Sequence, residues 1–340
     1  PTAAHHDIVT ALKGPPFPLR APVRSLQDYL EGIRGCFRQF DRVLLSSEVF
    51  MRFVPAFKDR LALDLSRLQP LLSTADSVRV ILYLRRQDQY LESFYGQEIQ
   101  HDLRSSFQEF VSARMPDYFE ICSELAAAFG KDRVVVRVYD KDCFTGGSLY
   151  AGFLSVLGLS PGDHFTLPES DINSSLLPDE REFKRLVNTL GLPLGDLIKF
   201  NGPLLELSAK KRMSTRYATA RCALFSPAAR LELLRSCAAD NRRVAAQFLG
   251  RECKEKTLFA PASANGRPLP EVYPGLAAGT LAEILAYLRD SSPELVALLA
   301  AGVRRGQACG DREASEAASM LAAALVTGER LQGTEGLIFN

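Results

Sequence analysis

The sequence predicts an α/β fold of three layers, a parallel sheet with helices on both faces, extended by a helical carboxyl segment. Three observations predict it. Short runs rich in Val, Ile and Leu alternate with helical patterns between residues 25 and 160, as in parallel sheets covered on both sides. The stretch from 178 to 258 then reads as helical with interruptions, and 276–340 is Ala/Leu-rich and helical. A chain of 340 residues is long enough to bury a large core in one or two domains.

Taken in order, "SLQDYLEGIRGCFRQF" (25–40) carries Leu26, Tyr29, Leu30, Ile33 and Phe37 on one helical stripe, opened by Ser25 as cap. "RVLLSSEVF" (42–50) follows as a short strand ending at Ser46, and a helix is expected over about 59–72. "VRVILYL" (78–84) is the next strand. Asp88 is the expected N-cap of a helix whose buried face is Leu91, Phe94, Tyr95 and Ile99. Helices near 105–114 and 117–129 come next, the second closing at Gly130. "RVVVRVYD" (133–140) is a strand, and "GGSLYAGFLSVLGL" (146–159) a helix capped by the turn from Asp142 to Ser148. Residues 160–180 form a polar loop, and "FAPASANGRPLPEVYPG" (259–275), with four prolines, reads as a linker. The expected domains are 1–260 and a helical extension, 276–340, joined through 261–275.

Composition removes several functions. The net charge of +1 gives no bulk attraction to nucleic acid or anionic membrane, so no nucleic-acid partner is expected. No apolar run is long enough to span a bilayer, and "PTAAHHDIVTALKGPP" does not have the layout of a signal peptide. Seven scattered cysteines form neither a CxxC pair nor Cys/His ligand spacing, which predicts reduced thiols in a cytoplasmic protein and no metal site. His5 and His6 have no further ligands near them, and no Ser/His/Asp arrangement suggests a hydrolase.

The chemistry concentrates where the 78–84 strand ends. Ligands of open parallel sheets bind outside the carboxyl ends of strands, and there the chain places Arg85 and Arg86 just before a helix start. A helix N-terminus offers unpaired N–H groups and the positive end of a dipole, which suits a phosphate. Ser93 lies eight residues past Arg85, off the apolar stripe. An arginine fork, a hydroxyl and a helix start can clamp a phosphate. The other reading leaves the arginines solvated or pairs them with a nearby acid, Asp88 or Glu92.

The stretch "LRRQDQYLESFYGQ", an apolar strand, Arg, seven residues, Ser and an aromatic pair, resembles the 3′-phosphate-binding segment of sulfotransferases that use 3′-phosphoadenosine 5′-phosphosulfate (PAPS). It is most similar to bacterial sulfotransferase-like proteins. "VLLSSEVF", "FGKDRVVVRVYDKDCFTGGSLYAGFLSVLGL", "NSSLLPDEREFKRLVN" and "NRRVAAQFLGRE" resemble further segments of that family in the same order, over roughly residues 1–260. The resemblance implies a P-loop-type nucleotide-binding fold, PAPS as co-substrate, no metal, and a hydroxyl or amine acceptor such as a carbohydrate. It implies that Arg85 and Ser93 hold the nucleotide 3′-phosphate. Glu48, in "SSE" at the end of the 42–46 strand, is the best placed general base; its alternative is to cap the next short helix with Ser47. Lys210, Lys211 and Arg212, in "AKKRMSTRYATAR", occupy a place comparable to the family's late basic nucleotide-closing loop. A solvated helix face or a contact to an anionic glycan are the alternatives.

One expected part is missing. Family members open on a strand and a GTxKTGTT-like loop that cradles the 5′-phosphosulfate, whereas this sequence begins "PTAAHHDIV". The expectation is therefore a piece without the true amino terminus, catalytically crippled because donors to the reacting group are gone. "YDKDCFTGGSLYAG" has no lysine beside its glycines and does not have the P-loop spacing. A non-catalytic nucleotide- or glycan-binding module of the same fold and a P-loop kinase relative remain the alternatives.

Overall fold

The computed structural model describes residues 25–46, 75–160, 162, 175–213, 222–249, 257–260 and 269–335. These residues make a mixed α/β chain, mostly helical, with one parallel sheet of two strands. The elements are α1 (Leu26–Phe37), β1 (Val80–Leu84), α2 (Gln87–His101), α3 (Phe107–Arg114), α4 (Tyr118–Phe129), β2 (Val134–Val138) and α5 (Leu149–Val156). They continue with α6 (Pro178–Thr189), α7 (Leu194–Lys199), α8 (Asn201–Arg212), α9 (Pro227–Ser236) and α10 (Ala238–Phe248). Last come α11 (Ala278–Ser291), α12 (Pro293–Ala308) and α13 (Arg312–Glu335). Among the described residues no helix is long and apolar enough to cross a membrane.

The chain divides into two compact units. The first is formed by Pro1–Gln87, Ala113–Phe165 and Leu234–Pro261, the second by Asp88–Ser112, Thr166–Leu233 and Ala262–Asn340. Each has its own apolar core.

In the first unit β1 and β2 pair in register from Val80 opposite Val134 to Leu84 opposite Val138. Leu82 and Leu84 alternate with half-buried Ile81 and Tyr83, so one sheet face enters the core with Val134 and Val136. Against it pack Leu30 and Ile33 of α1, Ile121, Cys122 and Leu125 of α4, and Val244 and Phe248 of α10. Local chemistry sets the helix ends. Ser25 and Asp28 form a reciprocal capping box on α1. Asp117 caps α4 through the Glu120 N–H, and Gly130, at φ 93°, closes it in a conformation that a side chain would resist. Ser148 caps α5, and guanidinium groups of Arg42 and Arg79 donate to the Leu157 and Val156 carbonyls at its far end.

The stretch 42–46 is not a strand. Val43 and Leu45 lean on the first core while Leu44 stays 47% exposed, so the strand-like alternation is there. No backbone ladder pairs it among the described residues, and alternation without a partner does not make a strand. The helix expected over 59–72 lies outside the described residues.

The core of the second unit is helical. Phe183, Val187 and Leu190 from α6 and its end, with Leu204 of α8, pack with Leu281, Ile284, Leu285 and Leu288 of α11, Leu299 of α12 and Leu321 of α13. Residues 278–321 therefore share one core with the 178–207 helices instead of forming a body of their own. Part of the Pro-rich 259–275 stretch is also anchored here. Val272 bridges Ala223 in parallel, with N–H···O bonds of 2.8 Å on each side, and the Tyr273 hydroxyl donates to Asp179 at 2.9 Å.

Candidate functional site

The end of β1 is held from two directions. The Leu84 carbonyl accepts the Tyr139 N–H at 2.7 Å, and the Arg85 carbonyl accepts the hydroxyl of buried Tyr118 at 2.6 Å. Tyr118 reaches it from the first turn of α4, where its ring lies in the apolar core. The stem of Arg85 thus leaves a fixed backbone, and its half-buried guanidinium stands 5.7 Å from the centroid of the Tyr139 ring. Helix α2 opens two residues later at Gln87, whose buried side-chain amide exchanges two hydrogen bonds with Asn241 of α10, at 2.7 and 3.2 Å. A guanidinium on a fixed stem beside a helix start can bind an oxyanion with little loss of freedom.

Asp88 is not the N-cap of α2. It lies inside the first helical turn, fully buried, and pairs with the Arg230 guanidinium of α9. Arg230 also reaches Glu92 at 3.1 Å, and Glu92 accepts the Leu224 and Phe225 N–H groups at 2.8 and 3.1 Å. A buried carboxylate needs a cation or several donors, and Arg230 is a cation that Asp88 and Glu92 share. The sequence pointed to Arg85 or Arg86 for that role. Only tertiary contact reveals Arg230, more than 130 residues away.

Ser93 lies on the exposed face of α2, while Leu91, Phe94, Tyr95 and Ile99 are buried, as their spacing predicts. Arg85 belongs to the first unit; Ser93, Lys210, Lys211 and Arg212 belong to the second. Glu48, the expected base, lies outside the described residues.

The three basic residues sit in the last turn of α8 and diverge. Lys210 is exposed, pairs with Glu206 at 2.8 Å and lies over the Tyr287 ring. Arg212 donates to the backbone carbonyl and the hydroxyl of Ser175. Lys211 is not a surface cation: it is 3% exposed and ion-paired at 2.7 Å with Glu180, itself 0% exposed. A buried pair of this kind withdraws Lys211 from solvent and from any surface ligand.

Glu180, Lys184 and Asn188 form an i, i+4, i+8 stripe on α6, and all three are fully buried. Lys184 Nζ donates to the Ile99 and His101 carbonyls, each at 3.2 Å, and to Asn188 Oδ1 at 2.5 Å. Asn188 in turn donates to the Ile99 and Leu103 carbonyls. The pair satisfies the carbonyl end of α2, where a cation also opposes the helix dipole. Burial pulls the Lys184 ammonium from 10.5 to about 7, with Asp102 acting the other way. The stripe was open to view in "PDEREFKRLVNT", since polar residues at i, i+4, i+8 define a face; that the face is buried was not.

The Asp142–Ser148 turn does what its sequence predicts. Two short 3₁₀ turns, with Gly146 and Gly147 at φ 63° and 71°, lead to Ser148 at the start of α5, and Asp140 caps the first of them through the Asp142 N–H.

No family model matches the sequence, and no solved structure matches it. An uncharacterised protein of Archaeoglobus fulgidus is 31% identical over 139 residues, a match that covers 39% of this chain and 37% of that protein.

Proposed function

We propose that the chain is a sulfotransferase-like protein whose β1 end binds the 3′-phosphate of PAPS. One observation carries this reading. β1 lies parallel to β2, and Arg85, its backbone pinned by Tyr118, stands at the strand's carboxyl end with α2 opening two residues later. Ligand sites of parallel sheets lie at that end. The residue order there, Arg, seven residues, Ser and two aromatics, is the order that resembles the PAPS-dependent family. In this reading the two strands belong to a three-layer α/β/α sheet of the P-loop nucleotide-binding type.

The residues present suit a phosphate monoester. Arg85 supplies a fork of N–H donors, Ser93 a hydroxyl on the solvent face of α2, and the start of α2 the positive end of its dipole. The sulfuryl group of PAPS passes to a hydroxyl or amine acceptor, for which a carbohydrate is the proposed class, as its bond to the 5′-phosphate oxygen breaks and adenosine 3′,5′-bisphosphate leaves. Arg85 and Ser93 hold and orient the nucleotide, and Glu48 takes the acceptor's proton.

Calorimetry with adenosine 3′,5′-bisphosphate tests the reading. The wild-type chain should bind it, Arg85→Ala should weaken binding by about 1.5–3 kcal/mol, the range for a hydrogen bond to a charged group, and Ser93→Ala by less. Equal binding by wild type and Arg85→Ala would sink the proposal.

A further inference from the structure

The second unit contains a cleft of about 310 Å³, lined among others by Tyr95, Phe107, Arg181, Leu224, Tyr273 and Pro274. Its walls are set before any ligand arrives. The Tyr95 ring meets Phe107 edge-on at 5.2 Å and Phe110 at 5.3 Å, and its hydroxyl donates to the Ser105 carbonyl. Phe107 is braced in turn by Phe225 at 4.7 Å.

Most of the polar groups around it are already engaged. Arg185 grips Glu182 through three N···O contacts of 2.8–3.2 Å and extends to Glu313 at 2.7 Å. The Tyr273 hydroxyl donates to Asp179, and Ser106 Oγ donates to Glu109. Glu92 is met by Arg230 and two backbone N–H groups.

Arg181 is different. Among the described residues its guanidinium makes no hydrogen bond and no ion pair; it lies 6.0 Å from the centroid of the Tyr95 ring, and the carboxylates of Glu92 and Glu182 act on it only through space. Its side chain runs past Gly96, where an added Cβ would touch it at 3.8 Å. Burial pulls its guanidinium below the usual range against the opposing charges of Glu92 and Glu182, while the residue stays partly exposed. A guanidinium that faces a cleft and spends no N–H donor on a neighbouring side chain keeps its fork for an anion that enters there.

We infer that this cleft binds an oxyanion carried on a flat apolar body, with Arg181 holding the anion and Tyr95 and Phe107 the body. A guanidinium fork presents paired N–H donors to two oxygens, which a carboxylate and a sulfate monoester both offer. The site lies wholly within the second unit and does not depend on the nucleotide reading of Arg85.

Calorimetry on the full chain with benzoate, phenyl sulfate and benzyl alcohol tests it, the first two separating a carboxylate from a sulfate ester. At least one anion should bind at millimolar concentration or better, and the neutral alcohol at least about tenfold more weakly, the fold expected of one charge-assisted contact. Arg181→Met should abolish the preference for the anion, and Arg85→Ala should leave it intact. Should Arg181→Met not fold, the Arg181 Nε–H resonance of the wild-type protein must move on titration with the anion and stay put with the alcohol. Absence of saturable binding by either anion, equal binding of anion and alcohol, or an unmoved Arg181 resonance each overturns the proposal.

Discussion

Replacing Lys184 by methionine isolates one buried titration. Lys184 is 0% exposed, and burial brings its ammonium from 10.5 down to about 7. Between those values the unfolded chain holds a proton that the folded chain has released. The folded state binds fewer protons, so stability rises with pH, by about 1.4 kcal/mol per pH unit for one proton. The Lys184 contribution is thus least favourable below pH 7 and improves by roughly 2–3 kcal/mol between pH 7 and pH 9. The raised thiol and phenol groups work higher and in the opposite sense. Burial raises the Cys122 thiol from 9.0 to about 12 and lifts the Tyr95 and Tyr273 hydroxyls above their usual value, so each destabilises only above about pH 9. The assay is urea denaturation of wild type and Lys184→Met at half-unit steps from pH 6.5 to 9. Loss of hydrogen bonds to the Ile99 and His101 carbonyls offsets the variant by a constant amount, so the slope of the difference is the readout. A difference curve that is flat from pH 7 to 9 refutes the reasoning and leaves Lys184 charged throughout, held by its three oxygen acceptors.

Other expectations follow from the same contacts. Arg230→Met withdraws the guanidinium from buried Asp88 and should cost about 3–5 kcal/mol in denaturant midpoint analysis, while adding Asp88→Asn should restore more than half. At Gly306 an added Cβ would meet the Ala314 carbonyl oxygen and the Ala318 Cβ at 3.0 Å. Gly306→Ala should therefore destabilise by about 1–2 kcal/mol despite better helix propensity. At Gly202 of α8 nothing lies within 4 Å. Gly202→Ala should stabilise by about 0.5–1 kcal/mol, and thermal melts of the two variants should move in opposite directions.

What the sequence made legible is what local chemistry decides. The stripe of α1, the buried face of α2, the caps at Ser25, Gly130 and Ser148, and the runs that became β1 and β2 all follow from spacing and from one or two side chains. What it hid depends on partners far along the chain. Residues 42–46 carry the alternation of a strand, yet a strand exists only where another backbone accepts its hydrogen bonds. Asp88 has the residue type of an N-cap but sits two residues past that position, where Arg230 neutralises it. Glu180, Lys184 and Asn188 look like a solvated face until α2 and α8 are seen to bring carbonyls and Lys211 against them. Lys211 illustrates the same limit for the site: a basic triplet reads as one patch, and the structure sends its members to Glu206, Glu180 and Ser175. Arg181 shows it from the other side, since nothing in "PDEREFKRLVNT" distinguishes it from Arg185, and only their neighbours do.

The central claim is that the end of β1 recognises a nucleotide 3′-phosphate through Arg85. Competition between adenosine 3′,5′-bisphosphate and adenosine 5′-phosphate probes it most directly, because the two ligands differ only in that group. Wild type should favour the bisphosphate by at least about tenfold, and Arg85→Ala should bind the two alike. A wild-type chain indifferent to the 3′-phosphate, or an Arg85→Ala chain that keeps the preference, contradicts the account.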